Sequence, residues 1–206
     1  TEQAVFDSWL SRLEAAPLFA FDTETTSLNY MQAEIVGLSF AIEPGEAAYV
    51  PLAHLNPGLE GQLDRDQILD QMKPLLESDA VKKVGQHLKY DANVLANHGI
   101  TLRGIAHDTM LQSYIIDAVG SRHDMGSLAL KYLGQRVISF EKVAGKGAKQ
   151  VSFDHVDIEQ AAAYAAEDAD VTLRLHEALM PKLEAEASLN EVYQGLELPL
   201  VPVLSK

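Results

Sequence analysis

The sequence predicts an α/β domain with a central mixed sheet of five strands flanked by helices. Three short apolar runs come first, and the second and third meet around Pro44-Gly45, a combination typical of a β-hairpin. Further along, short apolar runs alternate with stretches of helical periodicity, which favours the α/β class. The 206 residues are 47% hydrophobic, enough for one core and too few for two domains of typical size.

The first part of the chain contains the three strands behind one helix. Apolar residues recur at helical spacing before Pro17, and a run with two Phe residues follows it, which indicates a buried strand. A later segment rich in Gly and Pro is typical of a loop. The predicted elements, in order, are a helix at 4–15, strands at 18–24, 35–42 and 47–52, and a loop at 55–63.

The second part alternates helices with two short strands. An apolar stripe marks the first helix, Gly99 ends the second, and a 27-residue periodic stretch predicts a long helix near the end. A basic segment with two glycines is predicted to be a mobile loop. These elements are helices at 68–76, 88–97, from 110 and at 157–183, strands at 81–84 and 105–107, and the basic loop at 142–149.

Two acids at the end of the first predicted strand are candidate metal ligands. Side chains alternate across a strand, so Asp22 and Glu24 point to one face with their Cα atoms about 6 to 7 Å apart. Both could reach one cation there, and buried carboxylates without partners are too costly to keep ionised. The alternative is that Glu24 lies in solvent beyond the strand while Asp22 caps the next turn.

A third acid, Asp91, stands near the start of a predicted helix. Helical spacing puts it on one face with His87 and the apolar Val94. A carboxylate beside an apolar position favours a functional site, but an acid near a helix start is also stabilised by the helix dipole. The sequence leaves both interpretations open.

The long helix predicted at 157–183 singles out one more acid. Asp168 lies within a stripe of apolar and small side chains, and Tyr164 lies one turn earlier on the same side. A carboxylate that faces a core is costly to bury without a partner, so it indicates either a functional site or a buried ion pair. The opposite stripe is predicted to face solvent and consists of Glu167, Asp170, Arg174 and Glu177.

The charge distribution bears on nucleic-acid binding. A net charge of −14 argues against it at first, because phosphate binding draws on Lys and Arg. Between Lys82 and Lys149, however, lie ten of the sixteen Lys and Arg but five of the thirty Asp and Glu, so this basic window carries +5 and the remainder −19. The window is either a basic face on an acidic body or a chance cluster of surface charge.

Three motifs in chain order resemble the exonuclease motifs of proofreading nucleases with a ribonuclease-H-like fold: Asp22-x-Glu24, Tyr90-Asp91 and Tyr164-x3-Asp168. Longer strings around them resemble the 3′→5′ exonuclease domain of bacterial DNA polymerase I, and the likeness covers nearly the whole chain. Those strings are residues 21–25, 85–91, 122–125, 164–173 and 198–204. The resemblance implies a two-metal-ion 3′→5′ exonuclease that removes 5′-mononucleotides from single-stranded or frayed DNA during proofreading.

The same resemblance implies roles for individual residues. Asp22, Glu24, Asp91 and Asp168 would hold two divalent ions, Mg²⁺ or Mn²⁺, and Tyr164 would orient the attacking water. In the family, positions that match this chain contact the terminal bases or the strand backbone. Those positions are Leu28 and Phe140 for the bases and Arg122 for the backbone.

The remaining substrate-binding candidates are basic or titratable. Lys146 and Lys149 of the basic window are expected to contact the DNA backbone. His87 stands where the family usually has Asn; it can still donate a hydrogen bond, but it adds a group that titrates near neutrality beside Asp91. This departure bears on local geometry and pH optimum rather than on the reaction class.

Further expectations concern the setting of the chain. Residues 1–206 are expected to form a single exonuclease domain, with 195–206 leading toward a polymerase domain of the same parent chain. Cysteine is absent, which excludes disulfides and fits a cytoplasmic protein. No apolar run approaches the ~20 residues that span a bilayer, so no membrane contact is expected. The chain is also expected to be a monomer.

Three other functions fit parts of the sequence. A related ribonuclease that trims RNA 3′ ends would use the same four carboxylates, and activity on DNA and RNA would separate the two. A catalytically silent scaffold domain would lack acids of the set, yet all four are present. An interaction module unrelated to nucleic acid fits the acidic charge and would release no nucleotides.

Overall fold

The apolar run after Pro17 forms the strand at the centre of the sheet. The computed structural model describes residues 2–55, 62–120 and 122–205. Its five strands are β1 (Leu18–Thr25), β2 (Ile35–Glu43), β3 (Glu46–Pro51), β4 (Lys82–Gly85) and β5 (Ile105–Asp108). They lie in the order β3-β2-β1-β4-β5, with β1–β2 and β2–β3 antiparallel and β1–β4 and β4–β5 parallel. The prediction of a mixed five-stranded sheet is confirmed.

Helices cover both faces of this sheet. Each predicted helix is present, and further short helices follow that sequence periodicity did not indicate. The helices are α1 (Gln3–Ala15), α2 (Arg65–Leu76), α3 (Leu88–Asn97), α4 (Thr109–Ile116), α5 (Met125–Leu128), α6 (Phe140–Ala144), α7 (Ile158–Glu184), α8 (Ala187–Val192) and α9 (Leu198–Leu204). The loop predicted at 55–63 falls largely on 56–61, outside the described residues.

The two faces of the sheet differ in side-chain size. One face carries Phe19, Phe21 and Phe40, which are buried in the main core with apolar residues of α1, α2 and α3. On the other face, Ala20 and Ala41 pack against α7. Small side chains allow the backbone of α7 to approach the sheet closely, and this approach brings residues of α7 to the acidic end of β1.

The β2–β3 hairpin fixes the register on the α7 side. Its turn passes through Gly45, whose φ of +84° is a conformation that suits glycine. Gly37 of β2 pairs with Glu24 of β1, and Ser39 of β2 pairs with Tyr49 of β3. Side chains of directly paired residues share a face, so these positions lie beside one another under α7.

The basic segment predicted to be a mobile loop is helical in part. Residues Phe140–Ala144 form α6, and Gly147–Lys149 form a 3₁₀ turn. Ala144 is buried against the cluster around Phe153, and its carbonyl accepts a hydrogen bond from the Val151 amide at 2.8 Å. This packing orders a stretch too short for periodicity to identify. In the described part of the chain, no helix combines the length and apolarity needed to span a bilayer.

Candidate active site

The two acids of β1 both lie within the strand. Glu24 is 7% exposed and pairs with Gly37, so the alternative that it lies in solvent beyond the strand is wrong. Asp22 also lies in the strand, two residues earlier and on the same face. Strand geometry therefore presents the two carboxylates toward α7.

Asp91 enters from α3, which follows β4 beside β1. Its Oδ1 accepts hydrogen bonds from the Thr23 amide at 3.0 Å and from the Thr23 hydroxyl at 2.6 Å. Thr23 points to the opposite face of β1 from its two acidic neighbours, so one short strand segment both supplies two acids and anchors a third. Asp91 is 1% exposed, which goes beyond what a helix-dipole role requires.

His87 does not share a helical face with Asp91, contrary to the prediction. It is the N-cap of α3, is exposed, and has a φ of +68°, the left-handed region. Asp108, at the end of β5, accepts hydrogen bonds from the amides of His87 at 3.2 Å and Leu88 at 2.8 Å. This buried carboxylate fixes the turn and so sets where α3 begins.

Asp168 of α7 completes the group of four carboxylates. It is 7% exposed, and the buried stripe predicted around it is confirmed. Burial raises the pKa of Asp168, and hydrogen bonding to Tyr164, one turn earlier, offsets only part of that rise. The long helix thus delivers a carboxylate and a phenol to the acidic end of β1.

The acids on the other stripe of α7 do not all face solvent, which corrects the prediction. Asp170 accepts a hydrogen bond from the Gly45 amide at 2.7 Å and pairs with Arg174 at 3.2 Å. Glu167 accepts from the Ile138 amide at 2.6 Å. The β2–β3 turn and the segment before α6 cover part of this stripe, and the periodicity of α7 alone could not indicate which elements pack there. Glu177 is exposed, as predicted.

Mutual repulsion and burial mark the four carboxylates as one electrostatic group. Burial and the Asp168 charge raise the pKa of Asp22 to about 7, and burial raises the pKa of Asp168 to about 7 as well. Burial, followed by the charges of the other three acids, raises the pKa of Glu24 well above its ordinary range. For Asp91, burial and the charge of Asp22 outweigh the Thr23 hydrogen bonds and raise the pKa. Cations would relieve this repulsion.

The donor set fits divalent cations that prefer oxygen ligands. Glu24 Oε1 is buried without a hydrogen-bond partner, so one carboxylate oxygen is available to a ligand. Among the described residues, no group of three or more His, Asp and Glu side chains is close enough to hold an ion as it stands. The fit therefore lies in donor chemistry, four carboxylates and one unpartnered oxygen, rather than in a preformed coordination shell.

A cleft of about 940 Å³ opens over the carboxylates. Its walls include all four acids and Tyr164, together with the substrate-binding candidates Leu28, His87 and Phe140. Leu28 is 94% exposed and Phe140 packs against Tyr164 with ring centroids 6.3 Å apart. The structure therefore brings eight of the eleven predicted site residues to one cleft.

The three basic candidates do not line this cleft. Lys146 and Lys149 flank Gly147, which does line it, and Lys146 pairs with Glu141 at 3.2 Å. Arg122 is exposed and pairs with Asp124 at 3.2 Å. The basic window is therefore not a uniform cationic face; Lys83 within it is wholly buried, and its ammonium donates to the Ser78 carbonyl at 2.8 Å.

Several supporting residues were not predicted from the sequence. Thr23 holds Asp91, and the Tyr90 hydroxyl donates to the Ser27 carbonyl at 2.5 Å, which anchors the loop that carries Leu28. Gln86 lines the cleft and donates to the His123 carbonyl at 2.7 Å. Tyr90 and Gln86 stood inside motif strings, but only the fold shows what they contact.

Bacterial DNA polymerases I match this chain over part of their length. The enzyme of Pseudomonas aeruginosa is 62% identical over 207 residues, covering 100% of this chain and 23% of that protein. DNA polymerase I of Rhizobium leguminosarum is 48% identical over 217 residues, covering 97% of this chain and 21% of that protein. The chain thus spans less than a quarter of the length of these curated relatives.

Solved structures share the fold at low sequence identity. The POL domain of Pol1 from M. smegmatis, in complex with DNA primer-template and dNTP, has a TM-score of 0.75 at 21% identity and covers 100% of this chain and 30% of that chain. RNase D of Escherichia coli has a TM-score of 0.70 at 18% identity, with 100% and 49% covered. Brucella melitensis NrnC with bound Mg²⁺ has a TM-score of 0.66 at 19% identity, with 92% and 84% covered.

These neighbours and the mixed sheet flanked by helices confirm the ribonuclease-H-like fold. The family model described as 3′-5′ exonuclease matches residues 1–184, most of the chain. The chain therefore belongs to the 3′-5′ exonuclease family.

Proposed function

We propose that this chain is a metal-dependent exodeoxyribonuclease that hydrolyses the terminal phosphodiester of single-stranded or frayed DNA in the 3′→5′ direction and releases 5′-mononucleotides. The observation that carries the proposal is a group of four carboxylates at the base of an open cleft, with Glu24, Asp91 and Asp168 buried and Asp22 half-buried. All four have raised pKa values, and one Glu24 oxygen has no hydrogen-bond partner. The family assignment supports the nuclease class. The nucleic acid and the product are part of the proposal.

Asp22, Glu24, Asp91 and Asp168 are the residues that would hold two Mg²⁺ or Mn²⁺ ions. When bound, such ions supply an activated water and stabilise negative charge on the leaving 3′ oxygen. The neighbour NrnC with bound Mg²⁺ supports this choice of cation. Thr23 keeps Asp91 in place by donating two hydrogen bonds to one of its oxygens, which leaves the other oxygen for a ligand.

Tyr164 is suited to orient the attacking water. Burial raises the pKa of its phenol, so the hydroxyl keeps its proton at neutral pH. The hydroxyl interacts with Asp168, and its oxygen can still accept a hydrogen bond from water. Contacts of the ring with Phe140 and Phe153, at centroid distances of 6.3 and 5.9 Å, hold the phenol in position.

Leu28 and Phe140 are suited to contact the terminal bases. Both expose apolar surface to the cleft, directly beside the group of carboxylates. Apolar and aromatic contacts accept any base, as an editing nuclease requires. Arg122, Lys146 and Lys149 lie outside the lining and would contact phosphates farther along the strand.

The identity to DNA polymerases I, far above that to RNase D, favours DNA over RNA. Because the chain spans under a quarter of those relatives, we infer that it acts beside a polymerase domain of the same parent chain and edits its 3′ ends. We further expect a cytoplasmic monomer.

A time course with 3′-labelled single-stranded DNA tests the proposal. Mononucleotides should appear with Mg²⁺ or Mn²⁺ and not with EDTA, and a matched RNA should be cleaved more slowly. Asp91→Ala should abolish release, whereas Glu177→Gln, an exposed acid of α7, should leave it within about threefold of wild type. Robust hydrolysis in excess chelator, release from the 5′ end, or preference for RNA would contradict it.

A further inference from the structure

The carboxylate of Glu24 has a tyrosine beside it that the proposed reaction does not use. Tyr49 pairs with Ser39, and its ring lies across Gly37, the residue paired with Glu24. A Cβ on Gly37 would stand 2.2 Å from the Tyr49 hydroxyl oxygen, so the phenol occupies the space that a side chain would fill. Because paired Cβ positions lie about 4.5–5.5 Å apart, the hydroxyl is within reach of the Glu24 carboxylate.

The hydrogen bonds of His54 decide which way the Tyr49 proton points. His54 Nδ1 lies 3.2 Å from the Val156 carbonyl, which can only accept, so Nδ1 carries the ring proton. Burial lowers the pKa of His54, so the ring is neutral and its Nε2 is an acceptor. The Tyr49 hydroxyl, 2.7 Å from Nε2, therefore donates to His54 and directs no proton at Glu24.

Packing keeps this arrangement in place. Phe153 contacts the Tyr49 and His54 rings at centroid distances of 6.5 and 5.8 Å. Gln62 holds the His54 backbone through two hydrogen bonds of 2.8 Å. Glu24 Oε1 is buried without a hydrogen-bond partner, although Tyr49 is near enough that the charge of Glu24, after burial, raises the pKa of its phenol.

We propose that Tyr49 and His54 are positioning residues: His54 accepts the tyrosine proton, so the buried Glu24 oxygen stays available to a divalent cation. The inference rests on the proposed function and adds to it a hydrogen bond, from Tyr49 to His54, that controls the availability of a metal ligand. A hydroxyl that donated to Glu24 would compete with the cation for that oxygen. His54 prevents the competition by being the better placed acceptor.

Two substitutions of His54 form a matched pair. The amide of His54→Asn overlaps the Nδ1 position and keeps the bond to the Val156 carbonyl, but it offers no acceptor to Tyr49. The amide of His54→Gln reaches the Nε2 position and can still accept. Only the first substitution releases the tyrosine proton toward Glu24, and adding Tyr49→Phe to it removes that proton altogether.

Mn²⁺ binding by the chain without DNA, measured by isothermal titration calorimetry, is the test. His54→Asn should weaken binding by about tenfold or more, the range of a hydrogen bond to a charged group, while His54→Gln stays within about threefold of wild type. The double variant Tyr49→Phe/His54→Asn should recover to within about threefold of wild type. Chemical denaturation in EDTA checks that each variant is folded.

The outcomes separate the inference from the function on which it rests. If His54→Asn binds Mn²⁺ as wild type does, or if the double variant stays as weak as His54→Asn, the loss is not due to a released proton and the inference is overturned. If His54→Asn does not fold, His54→Leu, which also offers no acceptor to Tyr49, is compared with Tyr49→Phe/His54→Leu. Recovery of Mn²⁺ binding in that double variant supports the inference, and binding as weak as that of His54→Leu overturns it. Failure of the wild-type chain to bind Mn²⁺ would overturn the proposed function itself.

Discussion

Replacing Asp168 by Asn should stabilise the metal-free chain at alkaline pH. The folded chain holds this carboxyl at a pKa of about 7, above its ordinary 3.8, because burial opposes the charge. Between these two values the folded state binds more protons than the unfolded state, so folding stability falls as pH rises through that window. Asn keeps the shape and an acceptor for Tyr164, and it removes the charge.

The size of the stability difference follows from the pKa of Asp168 in the folded chain, about 7, and its ordinary value of 3.8, which applies to the unfolded chain. Because the unfolded chain ionises this carboxyl at lower pH than the folded chain does, the raised pKa lowers folding stability by about 0.5 kcal/mol at pH 4 and about 4 kcal/mol at pH 8. Part of the gain in Asp168→Asn comes through Asp22 and Glu24, whose pKa values also fall when the charge of their neighbour is removed. We expect the variant to exceed wild type by at least about 2 kcal/mol at pH 8.

Urea denaturation in EDTA at pH 4.5, 6 and 8, followed by circular dichroism, measures the difference. The advantage of Asp168→Asn should grow steadily with pH, and millimolar Mg²⁺ at pH 8 should shrink it by stabilising wild type alone. Glu177→Gln, which removes an exposed charge from the same helix, is the control and should track wild type. An advantage of equal size at all three pH values, or none, would refute the assignment of the destabilisation to a buried charge.

Three further predictions follow from the site and its surroundings. Asp168→Ala should lower the exonuclease rate by orders of magnitude, whereas Asp170→Ala should leave the rate within about tenfold of wild type. Asp170→Ala should instead lower the free energy of unfolding by about 1–3 kcal/mol, because the hydrogen bonds of Asp170 with Gly45 and Arg174 are structural. Rate measurements and urea titrations of the two variants check these outcomes. Thr23→Val should raise the Mg²⁺ concentration for half-maximal activity by about tenfold while Thr23→Ser does not, as a metal titration would reveal. The double variant Lys146→Ala/Lys149→Ala should raise KM and leave kcat nearly unchanged. It should also flatten the dependence of log affinity on log salt concentration, whose slope is expected near −1.5 to −2 for two or three phosphate contacts. A KM that equals the wild-type value across a salt series would show that these lysines are ordinary surface charge.

Most of the fold was predictable from the sequence because its elements are strongly patterned. The apolar run 18–24, with its two Phe residues, predicts a buried strand. The helical period of α7 places Asp168 on the buried side of that helix. The order of the three acidic motifs along the chain then identified the resemblance to the exonuclease family. Short elements were harder. Residues 142–144 of α6 fell in the predicted loop because five helical residues carry too little periodicity, and packing against Phe153 decides their structure.

What the sequence alone determined is the local direction of each acid, through the two-residue alternation of β1 and the helical period of α7. Only the tertiary structure decided which acids meet and which are bonded elsewhere. Asp168 and Asp170 are two residues apart on one helix, yet one faces Asp22 and the other the amide of Gly45, because α7 lies against a sheet whose neighbouring strands are distant in sequence. Long-range contacts of this kind depend on strand order and on the small side chains that admit α7, and no local pattern encodes them.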